Sequence, residues 1–150
     1  GDEIVFGDRF PNETGKGKFV PASVTSPNEI PDEDFAMILT TGRQLEHWHT
    51  GAMTRKASNL DAIEPEATVS ISPNETYKKN MKAGDRIRVS TRRGSINIRV
   101  REDRSIPEGV IFLPFCYNEA AANLLTNSAL DPYGKIPEFK YCAAKIEKID

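Results

Sequence analysis

The chain is poor in the residues from which most small active sites are built: among its 150 residues are two cysteines, two histidines and one tryptophan. Cys116 and Cys142 are too few for a disulfide scaffold, and neither lies in a CxxC or beside a histidine, so two buried thiols in a reducing compartment are expected. No apolar run approaches the roughly 20 residues that span a bilayer, and the start, GDEIVFGDRF, lacks the basic end and apolar core of a secretion signal. An excess of one charge is also missing, since 20 basic against 22 acidic side chains leave a formal charge of −2. A nucleic-acid or anionic-membrane surface draws on a domain-level positive field, so any anion site here must be local. These absences point to a soluble, cytoplasmic protein whose partners are neither nucleic acid nor membrane. No solenoid-period repeat, no GxGxxG turn in a βαβ frame and no GxSxG nucleophile turn occur, which sets aside repeat arrays, a Rossmann site and a hydrolase elbow.

What the chain does have is patterning for one mainly β domain with short helices. Residues 1–34 carry prolines and glycines with only short apolar patches, and read as an extended lead-in from a preceding domain; the domain proper is placed at 35–150. FAMILT (Phe35 to Thr40) and GVIFLPF (Gly109 to Phe115) are short apolar runs expected to be buried strands. ATVSIS alternates Val69 and Ile71 with Thr68, Ser70 and Ser72, the mark of a strand with one buried face. Ser72, Pro73 and Glu75 then form a capping box opening a short helix that stops near KAGD. DRIRVSTRRGSINIRVRED predicts a hairpin turning at Gly94, with Ile87, Val89, Ile96, Ile98 and Val100 inward. Arg86, Arg88, Arg99 and Arg101 fall on its other face, read as solvated, with Asp85, Glu102 and Asp103 neutralising its ends. NEAAANLLTN predicts a short helix capped by Asn118, and EFKYCAAKIEKI a closing strand in which Phe139, Tyr141 and Ala143 alternate with Lys140, Cys142 and Ala144. The sum is a compact β-barrel decorated by helices.

The chemistry concentrates in TTGRQLEHWHTGAMTR, from Thr40 to Arg55. A metal reading has His47 and His49 on one side of an extended segment, but no third or fourth ligand stands nearby. A catalytic reading needs a nucleophile beside one histidine, and Thr41, Thr50 or a cysteine would have to serve outside any nucleophile motif. In a third reading the residues simply pack, with Trp48 as a half-buried wall. A ligand reading uses more of them together. Gly42 lets backbone N–H groups approach an anion, the threonine hydroxyls add donors, Arg43 brings the bidentate fork suited to phosphate, and the histidines and tryptophan offer hydrogen bonds and a flat face to a heterocycle.

That segment, GDRIRVSTRRGSI, and IPEGVIFLPFCYNEAAANLLTNSALDPYGKIPEFKYCA together resemble the C-terminal molybdopterin-dinucleotide-binding domain of molybdenum and tungsten oxidoreductases, most of all that of formate dehydrogenase catalytic (alpha) subunits. The resemblance runs from about Phe35 to Ile149, and DRFPNETGKGKFVP is similar to the segment preceding the domain in those subunits. It implies a double-psi β-barrel, the aspartate-decarboxylase-like barrel, closing over bis(molybdopterin guanine dinucleotide) with Mo or W, a cofactor shared with the remaining domains of the catalytic subunit. By the same resemblance Thr41, Gly42, Arg43, Gln44, His47 and His49 contact the cofactor, Phe115 and Asn123 lie alongside, and Phe139 and Lys140 stand at the pterin side. Gln44 and His49 depart from the residues common in the family. The metal-ligating and iron–sulfur cysteines would belong to other domains, so this chain is expected to bind rather than catalyse, while its parent is an oxidoreductase. The alternatives are a stand-alone partner-docking barrel using the arginine face, a small-ligand enzyme on the same barrel, and the equivalent domain of a nitrate reductase or formylmethanofuran dehydrogenase.

Overall fold

A computed structural model describes residues 3–149. Six strands follow in order, β1 Met37–Gly42, β2 Thr68–Ile71, β3 Arg86–Ser90, β4 Ser95–Glu102, β5 Val110–Pro114 and β6 Cys142–Lys148. Two short helices flank β2, α1 Ser58–Ile63 before it and α2 Pro73–Lys78 after it. The strands close into a barrel in the order β1-β5-β2-β4-β3-β6. β1 with β5 and β2 with β4 are parallel, and every other pair is antiparallel. Exchanging the first three strands for the last three returns the same order and the same senses, so the barrel has an internal pseudo-dyad. Two parallel pairs related in this way within a closed six-stranded barrel make the double-psi β-barrel expected from the sequence.

The hairpin forms as patterned, with Ile87 opposite Ile98 and Val89 opposite Ile96. Their side chains join Leu39, Val69, Ile71, Val100, Ile111 and Leu113 in a single core. Burying an aliphatic side chain of this size stabilises by about 1.5–3 kcal/mol, and the alternation of β3 and β4 aims every second residue at that core. The half of the capping box that Ser72 supplies is in place: its hydroxyl accepts from Glu75 N–H at 3.2 Å, and Pro73 starts α2. The Glu75 carboxylate instead accepts from Gly109 N–H at 3.3 Å and faces Lys79, tying α2 to the loop before β5.

Several expectations need correction. β1 begins at Met37, two residues beyond Phe35, whose ring lies under the Arg92 guanidinium at 4.7 Å. In β2 Ser70 is buried beside Val69 and Ile71, as is Ser72 just beyond the strand, so neither face of this strand is solvated. NEAAANLLTN forms only one 3-10 turn, Ala122–Leu124, and Ala121 rather than Asn118 stands at its N-cap. Ala120, Ala122 and Leu125 are all buried, and an α-helix would put the first two about 200° apart, on opposite faces. Burial therefore overrides alanine's helix propensity. β6 starts at Cys142 rather than Glu138, and Cys142, Ala143 and Ala144 are buried in succession, because both faces are covered at that end. The carboxylates on the arginine face are also different ones. Glu66 pairs with Arg99 at 3.2 Å and Glu64 with Arg101 at 2.6 Å, whereas Asp85 pairs with Lys148 and Glu102 accepts from Thr76.

Candidate functional site

β1 and β5 end in register at Gly42 and Pro114, and both segments then leave the barrel side by side. Phe115 N–H donates to Gly42 C=O at 3.1 Å and fixes their separation. The stretch before β6 joins them: Thr41 Oγ1 donates to Phe139 C=O at 3.0 Å, and Lys140 Nζ donates to Thr41 C=O. Between the three segments lies an open groove of about 680 Å³, lined by Arg43, His49, Thr50, Phe115, Asn123, Thr126, Pro137, Phe139 and Lys140. Six of these, Arg43, His49, Phe115, Asn123, Phe139 and Lys140, were singled out in the sequence; Thr50, Thr126 and Pro137 were not among the proposed contacts.

The lining has two cations, three rings, an amide and two hydroxyls, and no carboxylate. The His49 ring lies 5.2 Å from that of Phe115 in a tilted arrangement, and Lys140 Nζ lies 5.6 Å from the Phe139 ring centroid. Arg43 is exposed. Forked donors beside flat apolar faces suit a ligand that is anionic at one part and planar at another. These side chains thus fit a phosphate-bearing heterocycle on chemistry alone.

A second hollow of about 610 Å³ continues from the groove, sharing Arg43 and His49 and lined further by Gln44, His47, Trp48 and Leu60. Trp48 is 70% exposed, so the half-buried wall expected of it is not formed here. His47 is 1% exposed and points the other way. Its Nε2 lies 2.9 Å from Glu64 C=O, which can only accept, so Nε2 carries the hydrogen. Nδ1 then accepts from Thr54 Oγ1 at 3.3 Å, and the same oxygen accepts from Trp48 N–H at 2.9 Å. Tyr117 donates its hydroxyl to Glu64 C=O at 3.0 Å, edge-on to His47. Burial pushes the Tyr117 phenol far up, which keeps that donor protonated. Arg55 stacks over Tyr117 at 4.6 Å and bonds Asp61 at 2.6 Å and Glu119 at 3.0 Å. This polar hub anchors the loop after β1. Its members are scattered from 47 to 119, so no local motif announced it.

Gly42 is buried, and a Cβ there would come within 2.5 Å of the Phe112 ring. At Gly51, φ is +75° and a Cβ would meet Cys116 C=O at 2.8 Å, so only glycine lets this loop lie against the segment after β5. His47 and His49 do not converge, and among the described residues no cluster of three or more His, Cys, Asp or Glu has a metal-holding arrangement.

The family described as "Molydopterin dinucleotide binding domain" matches residues 37–143. The chain belongs to this molybdopterin-dinucleotide-binding family. The match runs from the start of β1 through β5 to the first residues of β6, and the groove-lining residues of the domain all fall within it. The domain is similar to the F420-dependent formate dehydrogenase subunit alpha of Methanocaldococcus jannaschii, with 43% identity over 99% of this chain and 22% of that protein. It is also similar to the F420-dependent formate dehydrogenase 1 subunit alpha of Methanococcus maripaludis, with 40% identity over the same shares. The chain thus spans about a fifth of the length of these relatives. Among solved structures, acetylene hydratase from Pelobacter acetylenicus superposes with a TM-score of 0.70 at 20% identity, over 78% of this chain and 19% of that one. At that identity the likeness concerns the fold.

Proposed function

We propose that this domain holds one guanine dinucleotide arm of bis(molybdopterin guanine dinucleotide), carrying Mo or W, in the catalytic subunit of a cytoplasmic formate dehydrogenase-like enzyme. The observation that carries the proposal is the carboxylate-free groove at the ends of β1 and β5, which gathers Arg43, His49, Phe115, Asn123, Phe139 and Lys140. When bound, the group supplies the redox chemistry of the parent enzyme, which interconverts formate and carbon dioxide. The domain contributes binding and orientation. Arg43 grips phosphate as a fork, and Lys140 adds a second positive charge. The rings of His49, Phe115 and Phe139 provide faces for the planar system, with Asn123 able both to donate and to accept at its edge. Gln44 lines the hollow that continues from the groove, while Thr41, Gly42 and His47 act one layer back: Thr41 ties the Phe139 segment to β1, and His47 fixes the loop that presents Arg43 and His49. The other domains of the subunit close the open side, and likeness to the F420-dependent relatives suggests F420 as the parent's electron partner.

GDP or GMP titrated against isotopically labelled protein, followed by amide shifts, tests the site. With the open side uncovered, affinity on the order of millimolar is expected, about 4 kcal/mol of binding. Shifts confined to Thr40–Thr50, Phe115–Thr126 and Pro137–Lys140 support the groove. Shifts only at Arg86, Arg88, Arg99 and Arg101, or none up to roughly ten times that concentration, overturn it.

A further inference from the structure

The part of the lead-in nearest the barrel is fastened to it by a set of contacts that converge on the groove's two walls. Glu29, with its side chain 12% exposed, faces two arginines of the β3–β4 turn: Arg92 Nη1 at 2.6 Å and Arg93 Nη2 at 2.7 Å. Arg92 also pairs with Asp32 and covers the Phe35 ring. Arg93 does more than bind Glu29. Its Nε and Nη2 both donate to Leu125 C=O, at 3.3 and 3.2 Å, and Leu125 is the residue between groove-lining Asn123 and Thr126 on one wall and the core below. The opposite wall is reached separately. Asn28 N–H donates to both carboxylate oxygens of Glu138, at 3.2 and 3.1 Å, and Glu138 lies between groove-lining Pro137 and Phe139.

We infer that residues 28–35 form a strap belonging to the barrel, and that Glu29 and Arg93 are positioning residues that set the wall carrying Asn123 and Thr126. The inference rests on the nucleotide reading of the groove only for its functional consequence. A guanidinium chelating a single carbonyl has its remaining charge satisfied by Glu29. Without that carboxylate it turns toward solvent, and the Leu125 carbonyl loses its donors. The 3-10 turn Ala122–Leu124 has only one turn's own hydrogen bonding, so this external clamp adds to the burial of Ala122 and Leu125 in holding it. The strap thereby couples the segment entering the domain to the ligand face, with no residue of the strap touching ligand.

The test uses the whole chain with Glu29→Gln, Arg93→Met and the double variant. Amide hydrogen exchange at Leu125, Thr126 and Asn127 should quicken roughly three- to tenfold in either single variant, the factor expected for a lost, partly buried ion pair, with no further increase in the double. Exchange at Val89 and Ile98, in the barrel core, should stay as in the parent chain. Where the parent chain binds GDP in the groove, its affinity should fall by a similar factor while the melting temperature at neutral pH falls by only about 2–4 °C. Unchanged exchange at 125–127, additive effects in the double variant, or equal acceleration in the core would each overturn the strap. If GDP does not bind the parent chain at all, the nucleotide reading fails, and the exchange pattern still decides the strap.

Discussion

His49 adopts left-handed backbone at φ +51°, and its ring lies 5.2 Å from that of Phe115 at an angle of 58°. A non-glycine residue in that region costs of order 1 kcal/mol, and strain of this kind persists where surrounding contacts over-determine it. Gly51 and the His47 hub supply those contacts on either side. His49 is therefore held beside Phe115 by the fold itself, the preorganisation that the proposed groove would draw on.

Replacing Arg43 by Ala should remove a charge-assisted fork contributing about 1.5–3 kcal/mol, so GDP affinity falls roughly tenfold or more. Arg43 is exposed, and the melting temperature should stay close to that of the parent. Lysine at this position should restore only part of the affinity, because an ammonium cannot grip phosphate with two parallel bonds. Full affinity in Arg43→Ala would remove Arg43 from the site.

Gly42→Ala should destabilise the fold by about 1–3 kcal/mol, since the new methyl group meets the Phe112 ring at 2.5 Å. Urea unfolding measures it. Combined with Phe112→Leu the two changes should couple favourably, the double variant being more stable than the sum of the singles allows. Strict additivity would show that Gly42 is not there for Phe112.

His47→Leu leaves Thr54 without its acceptor and removes one of two donors from Glu64 C=O. A loss of about 1–3 kcal/mol is expected, with amide shifts spreading through residues 43–50. A loss under roughly 0.5 kcal/mol, within the usual range of surface substitutions, would contradict the anchoring role.

Glu29 gives stability an acid limit. Burial raises its carboxyl, but Arg93 and Arg92 outweigh burial and hold it below its ordinary value of 4.5. A group depressed on folding contributes fully above its unfolded value and loses that contribution as pH falls through the folded one. The melting temperature should thus drop as pH is lowered below 4.5, and Glu29→Gln should flatten that part of the profile. Identical acid limbs in the two proteins would assign the transition to other carboxylates.

Cys116 and Cys142 are 3% and 0% exposed, and burial pushes both thiols up. Thiolate is the reactive form. Neither should react with a thiol reagent in the native chain, and both should react once denaturant unfolds it. Fast native reaction of either would mean that the barrel opens locally at β6 or at the segment after β5.

The parts of this molecule that sequence made legible are those with local causes. Ile87, Val89, Ile96 and Ile98 announce a hairpin through spacing alone, and Ser72-Pro73 announces α2 through the chemistry of one cap. The groove was legible for another reason: motif resemblance brought together Arg43, Phe115, Asn123 and Lys140, which nothing in their spacing would place in contact. What stayed hidden depends on distant partners. The resemblance put His47 among the cofactor contacts, but its bond to Glu64 and its edge-on packing against Tyr117 come from residues far along the chain that no local motif links to it. α1, with no side-chain cap and no buried residue, gives periodicity nothing to detect. Asn118 to Leu125 carried a true helix propensity that burial of Ala120, Ala122 and Leu125 overruled.

The pseudo-dyad of the barrel gives the ends of β1 and β5 a twin at the ends of β4 and β2, so a barrel of this shape is born with two equivalent mouths. The second is stoppered by the chain itself: α2 follows β2 directly, Thr76 is fully buried and donates to Glu102 at 2.7 Å, and Asp103 N–H donates to Ile71 C=O. Of the two related mouths the fold therefore leaves open the one at β1 and β5, and the symmetry of the strands is not carried into the chemistry at their ends.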